Sequence, residues 1–247
     1  MEEVHDGAYR RSLRLPHGAG VLTLRPRSDR VEVELHLDDP RDEAQALDAA
    51  RRTLRLDVDP DAVADRLGGD PVIGGLVRQS PGRRVPGHHD PFELAVRAVL
   101  GQQISVAAAA TLAARLVQAH GEPLPRPVGR VTHLFPSPAV VSALDPATLP
   151  MPGARGRALV AAAGARREEL LRVRGIGPWT ASYVALRTGD DDAFLPTDLG
   201  VRHGLQALGQ DPRDAARVAE AWRPLRAFAV AHLWATPRRR PSPRARA

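Results

Sequence analysis

The spacing of apolar residues changes once along this chain, near residue 90, and that change limits the fold more than any other feature. Before it, Val31, Val33, Leu35 and Leu37 alternate with Glu32, Glu34 and His36, the two-residue period of a half-buried strand. Residues 21–24 (VLTL) form a second strand, with turns at His17-Gly18-Ala19-Gly20 and Pro26-Arg27-Ser28-Asp29. A helix is expected near 42–55, with Ala46, Leu47, Ala50 and Leu54 on one face. Another starts at Asp59-Pro60, a capping side chain followed by proline at the first helical position. Beyond 90 the strand signal disappears. Asp90-Pro91 repeats the cap and proline, and Phe92, Val96, Val99 and Leu100 make an apolar face. Gly101-Gln102-Gln103 interrupts before a helix over 105–119. Ser137, Asp145 and Gly153 open shorter helices, and helices over 168–173 and 179–187 flank a turn at 174–178. Pro196-Thr197-Asp198 and Asp211-Pro212 open two more, and 225–235 is the last. The expected architecture is α+β, mostly α: a small N-terminal antiparallel sheet with helices over 1–86, then an all-helical domain over 87–235.

Two residue types are missing, and each absence excludes chemistry. There is no cysteine among the 247 residues, so disulfides, thiolate metal sites, iron–sulfur clusters and cysteine nucleophiles are excluded. There is no lysine either; all 35 basic residues are arginine, so no side-chain amine can form a Schiff base. The opening Met-Glu-Glu lacks the basic start and apolar run of a secretory signal, and no stretch reaches the roughly 20 apolar residues of a membrane span. The expected location is therefore cytoplasmic, with no membrane partner. The net charge of +6 is uneven. Residues 1–90 carry 14 Arg against 17 acidic residues, whereas the segment 236–247 holds five Arg and no acid. That proline-broken tail reads as disordered, either a solvated overhang or a nucleic-acid contact.

The segment 170–202 carries the chemistry. Gly175 and Gly177 allow a tight bend and a close backbone approach. The helix after them points unpaired N–H groups forward, where a phosphate fits. Such a hairpin can grip a DNA backbone without reading sequence, although many such turns only join helices. Asp198 falls in the first turn of a helix with Thr197 as N-cap, where the partial positive charge suits a carboxylate. By itself it could be no more than a capping residue. Trp179 and Tyr183 are four apart on one helix face, a spacing that ordinary core packing also produces. His88-His89 has no evident ligand partner, and Asp190-Asp191-Asp192 reads as a solvated loop.

The stretch LRVRGIGPWTASYVAL resembles the helix-hairpin-helix of the DNA glycosylase superfamily. PFELAVRAVLGQQISVAAAATLAARL (91–116), FLPTDLGVR (194–202) and AWRPLRAFAVAHLW (221–234) resemble the DNA-3-methyladenine glycosylase II family, over about residues 5–235. The resemblance implies a monofunctional glycosylase that flips an alkylated purine out of duplex DNA and hydrolyses its N-glycosidic bond. It implies that Asp198 stabilises positive charge on the sugar. Trp179, Tyr183 and Trp234 match base-pocket positions, where an aromatic face attracts a cationic base. Trp179 also stands where glycosylase/lyase relatives carry a catalytic lysine. Gln103, in the bend Gln102-Gln103-Ile104, matches the wedge that enters the gap left by the flipped base. The N–H groups of Gly175, Gly177 and Thr180 match DNA contacts. The carbonyls of Leu171, Val173 and Ile176 match positions that hold a monovalent cation, Na+ or K+. No other cofactor, and no iron–sulfur cluster, is implied. The implied partner is double-stranded DNA containing alkylated bases, bound by a monomer.

The chain departs from the family pattern in three places. Family members usually carry a strand and helix before the position of Met1, so the 1–86 segment is expected to lack its first strand and helix. Residues 161–167 run almost directly into the hairpin, and Gly164 must end or interrupt the helix from Gly153. Ala235 replaces an aromatic found in some relatives. These departures keep a second reading open, a catalytically impaired or inactive helix-hairpin-helix DNA-binding protein. A third is a helical interaction protein indifferent to DNA.

Overall fold

The computed structural model describes residues 1–237, and the arginines of the expected tail, from Arg238 on, lie outside the described residues. The chain folds into two compact units, each built from two segments. One comprises Met1–Thr53 and His88–Val184, the other Leu54–Gly87 and the described chain from Ala185 on. Beside the crossing expected near 86, the chain therefore crosses again after 53 and after 184.

The first unit holds a four-stranded antiparallel sheet in chain order: β1 (Glu2–His5), β2 (Ala8–Arg14), β3 (Ala19–Pro26) and β4 (Val31–Leu37). β3 and β4 are the two expected strands, in register Leu22↔Leu35 and Leu24↔Val33. β2 gives no strand signal in the sequence because its inward side chains include Arg11, only 1% exposed. An arginine at a core position hides the alternation on which strand recognition depends. Helices α1 (Glu43–Leu54), α4 (Pro91–Leu100), α5 (Val106–His120), α6 (Pro138–Ser142), α7 (Gly153–Ala163) and α8 (Pro178–Arg187) fall near the expected segments. A 3-10 helix, Arg167–Arg172, precedes α8. Gly164 caps α7 at its C-terminus and ends it. Leu94, Val99, Leu116, Leu159, Leu170 and Val184 form the core.

The segment after 87 is not all helical. Pro123–Val128 (β5) and Val131–His133 (β6) pair as an antiparallel hairpin whose turn uses Gly129 at φ +59°. Three prolines in PLPRPV disfavour a strand, but Leu124 and Val131 bury against Ala19 and Val21. Ser12 Oγ also donates to the His133 carbonyl at 2.8 Å. A tertiary contact makes a strand here, which local propensity does not foresee.

The second unit is helical: α2 (Pro60–Leu67), α3 (Gly74–Gln79), α9 (Leu199–Ala207), α10 (Ala215–Val218) and α11 (Arg226–Trp234). Asp59 caps α2, and Asp211 caps a 3-10 helix, Pro212–Asp214, that leads into α10, as the cap-and-proline pattern requires. Trp222, Phe228, Leu195 and Leu67 are fully buried. The Asp190-Asp191-Asp192 run is an anchor, not a solvated loop. Asp191 pairs with Arg55, and Asp192 pairs with Arg223 and with Arg226 Nε at 2.8 Å. No helix among the described residues is long and apolar enough to cross a membrane.

Candidate functional site

The expected residues form two groups, one in each unit. In the first unit the chain runs from the 3-10 helix through a turn into α8. Buried Leu170 and Ile176 hold its two sides. Ile176 N–H donates to the Val173 carbonyl at 3.0 Å, closing the turn. Gly175 has φ +96°, where a side chain is strained, and a Cβ there would lie 3.0 Å from Ala158 Cβ on α7. Gly177 does not meet the expectation of a tight bend and close approach: its φ is not positive, and a Cβ there would meet nothing within 4 Å. The first N–H groups of α8, Thr180 included, have no acceptor one turn back within the helix and point ahead of it. The Thr180 side chain is buried, so its hydroxyl serves the interior.

That hydroxyl accepts from Gln102 Nε2 at 3.1 Å, and the same amide nitrogen donates to the Gly175 carbonyl at 3.1 Å. One side chain from the α4–α5 bend thus ties the bend to the hairpin. Gln103, the wedge candidate, is exposed and adopts φ +59°. A non-glycine in the left-handed region costs of order 1–3 kcal/mol and persists where the surroundings impose it. On α8, Trp179 and Tyr183 stack with ring centroids 5.3 Å apart and planes within 9°. Tyr183 also packs on the core, so the core interpretation of this pair holds in part.

α4 is fixed at both ends. Its C-terminal end leads to Gln102. Near its start, Glu93, 2% exposed, accepts from Arg11 Nη2 at 2.6 Å and from Arg97 Nη1 at 3.0 Å. His88 Nδ1 accepts the Asp90 N–H at 3.1 Å, and its Nε2 lies 3.3 Å from Arg11 Nη1 and 3.5 Å from Glu93 Oε1. Burial alone would raise the Glu93 pKa, but Arg11, His88 and Arg97 outweigh it and hold the carboxyl well below its usual range. His89 stacks on His88 at 5.3 Å, and burial with Arg11 and His88 nearby pushes its pKa down to about 2. Among the described residues, no group of three His, Cys, Asp or Glu is placed to hold a metal ion.

In the second unit Asp198 is itself the N-cap of α9, with φ −65° and ψ 133°, not a first-turn residue behind a Thr197 cap. Its Oδ1 accepts the Val201 N–H at 3.0 Å and the Trp234 indole N–H at 2.8 Å. Both Asp198 and Trp234 are half-buried. The capping role considered above is therefore real, and the same oxygen also holds an aromatic ring. The sequence reading missed Gly200, whose missing side chain leaves room for that ring: a Cβ there would lie 2.6 Å from Trp234 Cδ1. It also missed the buried Arg11–Glu93 pair. The signals were a glycine inside a helix and an acid next to a proline start, and neither is specific.

Comparison with known proteins defines the class first. The fold matches the 3-methyladenine DNA-glycosylase from Archaeoglobus fulgidus with a TM-score of 0.81 at 23% identity, covering 94% of this chain and 88% of that one. It also matches the Clostridium acetobutylicum 8-oxoguanine glycosylase/lyase, solved with dsDNA, with a TM-score of 0.71 at 17% identity, covering 95% and 96%. This is the helix-hairpin-helix glycosylase fold. Residues 1–90 match the family described as the AlkA N-terminal domain. DNA-3-methyladenine glycosylase 2 of Escherichia coli (strain K12) is 35% identical over 258 residues, covering 96% of this chain and 88% of that protein. The chain belongs to the DNA-3-methyladenine glycosylase II (AlkA) family. A probable bifunctional transcriptional activator/DNA repair enzyme AlkA of Mycobacterium tuberculosis (strain ATCC 25618 / H37Rv) is 44% identical over 254 residues, covering 95% of this chain and 51% of that protein. The chain thus spans about half the length of that relative.

Proposed function

We propose that this chain is a monofunctional DNA glycosylase of base excision repair. It flips alkylated purines, 3-methyladenine and related bases, out of duplex DNA and hydrolyses the N-glycosidic bond. The observation that carries the reading is the Asp198 carboxylate, oriented by two N–H donors on one oxygen, one from α9 and one from Trp234. As the bond between C1′ and the base breaks, positive charge grows on the sugar, and a fixed carboxylate stabilises it without reorganising. Water supplies the new oxygen on C1′. The bonding pair leaves with the base, which departs neutral if alkylation had made it cationic, and the water proton passes to solvent. Trp179, Tyr183 and Trp234 offer aromatic faces for such a base, with an attraction of about 0.5–2 kcal/mol per contact. With no lysine anywhere in the chain, no side-chain amine attacks the sugar, and the product is an abasic site.

The hairpin binds phosphate through the N–H groups of Gly175, Gly177 and Thr180, and Gln103 fills the gap in the stack. The carbonyls of Leu171, Val173 and Ile176 would hold Na+ or K+. Neutral backbone oxygens suit such an ion, and the Val173 oxygen keeps a lone pair beyond the one that accepts the Ile176 N–H. The protein acts as a monomer on chromosomal DNA in the cytoplasm.

The test is release of 3-methyladenine from alkylated duplex DNA. Wild type releases the base, Asp198→Asn loses a hundredfold or more (on the order of a lost transition-state contact), and borohydride traps no covalent DNA complex. Salt-sensitive DNA binding with no base release would replace this reading with that of an inactive DNA-binding protein.

A further inference from the structure

α9 opens Asp198-Leu199-Gly200-Val201, and its third residue is the one most unfavourable to a helix interior after proline. Backbone freedom does not explain it, because Gly200 does not have a positive φ. The space around it does. A Cβ at Gly200 would lie 2.6 Å from Trp234 Cδ1, 3.1 Å from Trp234 Nε1 and 3.1 Å from Asp198 Oδ1. Carbon atoms in contact sit about 3.5–4.0 Å apart, so the indole edge occupies the volume a side chain would take. One turn on, a Cβ at Gly204 would lie 2.8 Å from the Leu233 carbonyl oxygen, so the same face of α9 also meets the α11 backbone closely.

We infer that Gly200 is a positioning residue for base release: its bare Cα is the seat of the Trp234 ring, and the seat keeps the indole N–H on Asp198 Oδ1. The inference rests on the roles proposed above for Asp198 and Trp234. A methyl group at 200 drives the ring back by about 1 Å. The 2.8 Å indole–carboxylate bond then opens towards the limit of a hydrogen bond. Asp198 loses the indole anchor, and the ring meant to face the base moves. The helix gains, because alanine favours it over glycine.

The experiment is Gly200→Ala in the whole chain. The turnover rate for base release falls about tenfold or more, while affinity for undamaged duplex DNA stays within about twofold and the Tm does not drop. The indole N–H resonance of Trp234, identified by its absence in Trp234→Ala, moves to the position of an unbonded indole. Gly200→Ala/Trp234→Ala is no slower than Trp234→Ala alone, because the first change acts through the second residue. A wild-type rate with an unmoved resonance overturns the inference, and so do effects that multiply. If Gly200→Ala unfolds early, a double variant that melts no lower than Trp234→Ala supports the seat, and one that melts lower overturns it. If Asp198→Asn releases base as fast as wild type, the functional reading fails, while the resonance still decides the seat.

Discussion

The two groups of candidate residues are held by opposite means. In the first unit the hairpin depends on polar arms and constrained backbone. Gly175 and Gln103 have positive φ, Gln102 bonds the turn from outside, and α4 is pinned at its start by the buried Arg11–Glu93 pair. In the second unit Asp198 and Trp234 meet over short distances, through a helix cap, one hydrogen bond and a missing side chain. A polar frame fails when a charge is lost, because its partner is then stranded in a low-dielectric interior. A seat made by absence fails when volume is added. The same size of substitution should therefore produce different kinds of damage in the two places.

The largest stability effect is expected at Glu93. Removing it in Glu93→Ala leaves the Arg11 guanidinium buried and uncompensated, at a cost of about 3–5 kcal/mol. Thermal or denaturant unfolding measures it. A loss under about 1 kcal/mol would show that the polar frame is not what fixes α4. Next comes Gly175→Ala. An alanine at φ +96° costs about 1–2 kcal/mol in backbone strain, and its methyl meets Ala158 at 3.0 Å. Duplex affinity falls with it, whereas Gly177→Ala, with open space around it, costs less stability. Equal losses at the two glycines would break the distinction drawn between them.

The sequence revealed much of this, but unevenly. Helix starts were legible wherever a capping Asp or Ser stands before a proline or an apolar face, as at Asp59, Asp90, Ser105 and Ser137, because the cap is a local interaction. The hairpin turn and the i,i+4 pair Trp179–Tyr183 were legible for the same reason. β2 and the β5–β6 hairpin were not. Arg11 at a core position and three prolines at 123–127 mislead any rule that ignores tertiary partners. Asp198 was found, but its bond to Trp234, 36 residues away, was not. Nor was Gly200, whose purpose appears only when the ring that fills its place is known. Charged runs show the same limit: Asp191 and Asp192 look solvated until Arg55 and Arg226 are placed beside them.

A smaller effect is expected at Gln102. Gln102→Ala removes two hydrogen bonds, to the Gly175 carbonyl and to Thr180 Oγ1, each contributing about 1 kcal/mol. Its half-exposed position lets water replace part of that, so the Tm changes little. The bend and the hairpin become free to move independently, so duplex affinity and base release fall together by about threefold to tenfold. Gln102→Glu separates position from charge: the longer-range repulsion of phosphate weakens DNA binding further, most at low salt, and makes its salt dependence shallower. If both variants bind and cleave as wild type does, the Gln102 tie is incidental and the hairpin holds its shape unaided.

The smallest effect is the response to mild acid, and it probes both units at once. In the first, burial pushes His89 from 6.5 to about 2, with Arg11 and His88 adding to the shift. In the second, burial with Arg83 pushes His232 from 6.5 to about 4. For both, the folded pKa lies below the unfolded one, so the unfolded chain takes the proton more readily. Their stabilising contribution is complete above pH 6.5 and is lost as pH falls, down to about 4 for His232 and about 2 for His89. Between pH 7 and 6 the loss is under about 1 kcal/mol for each histidine. Glu93 acts later: its lowered pKa stabilises the fold above 4.5, and that contribution goes only as pH falls further. The Tm should therefore begin to fall just below pH 6.5. His232→Gln should remove part of the loss between pH 6.5 and 4. His89→Gln should also flatten the profile below 4, where His232 is already protonated and His89 still titrates. A Tm independent of pH from 7 to 5 would mean that neither histidine is buried as tightly as the packing indicates.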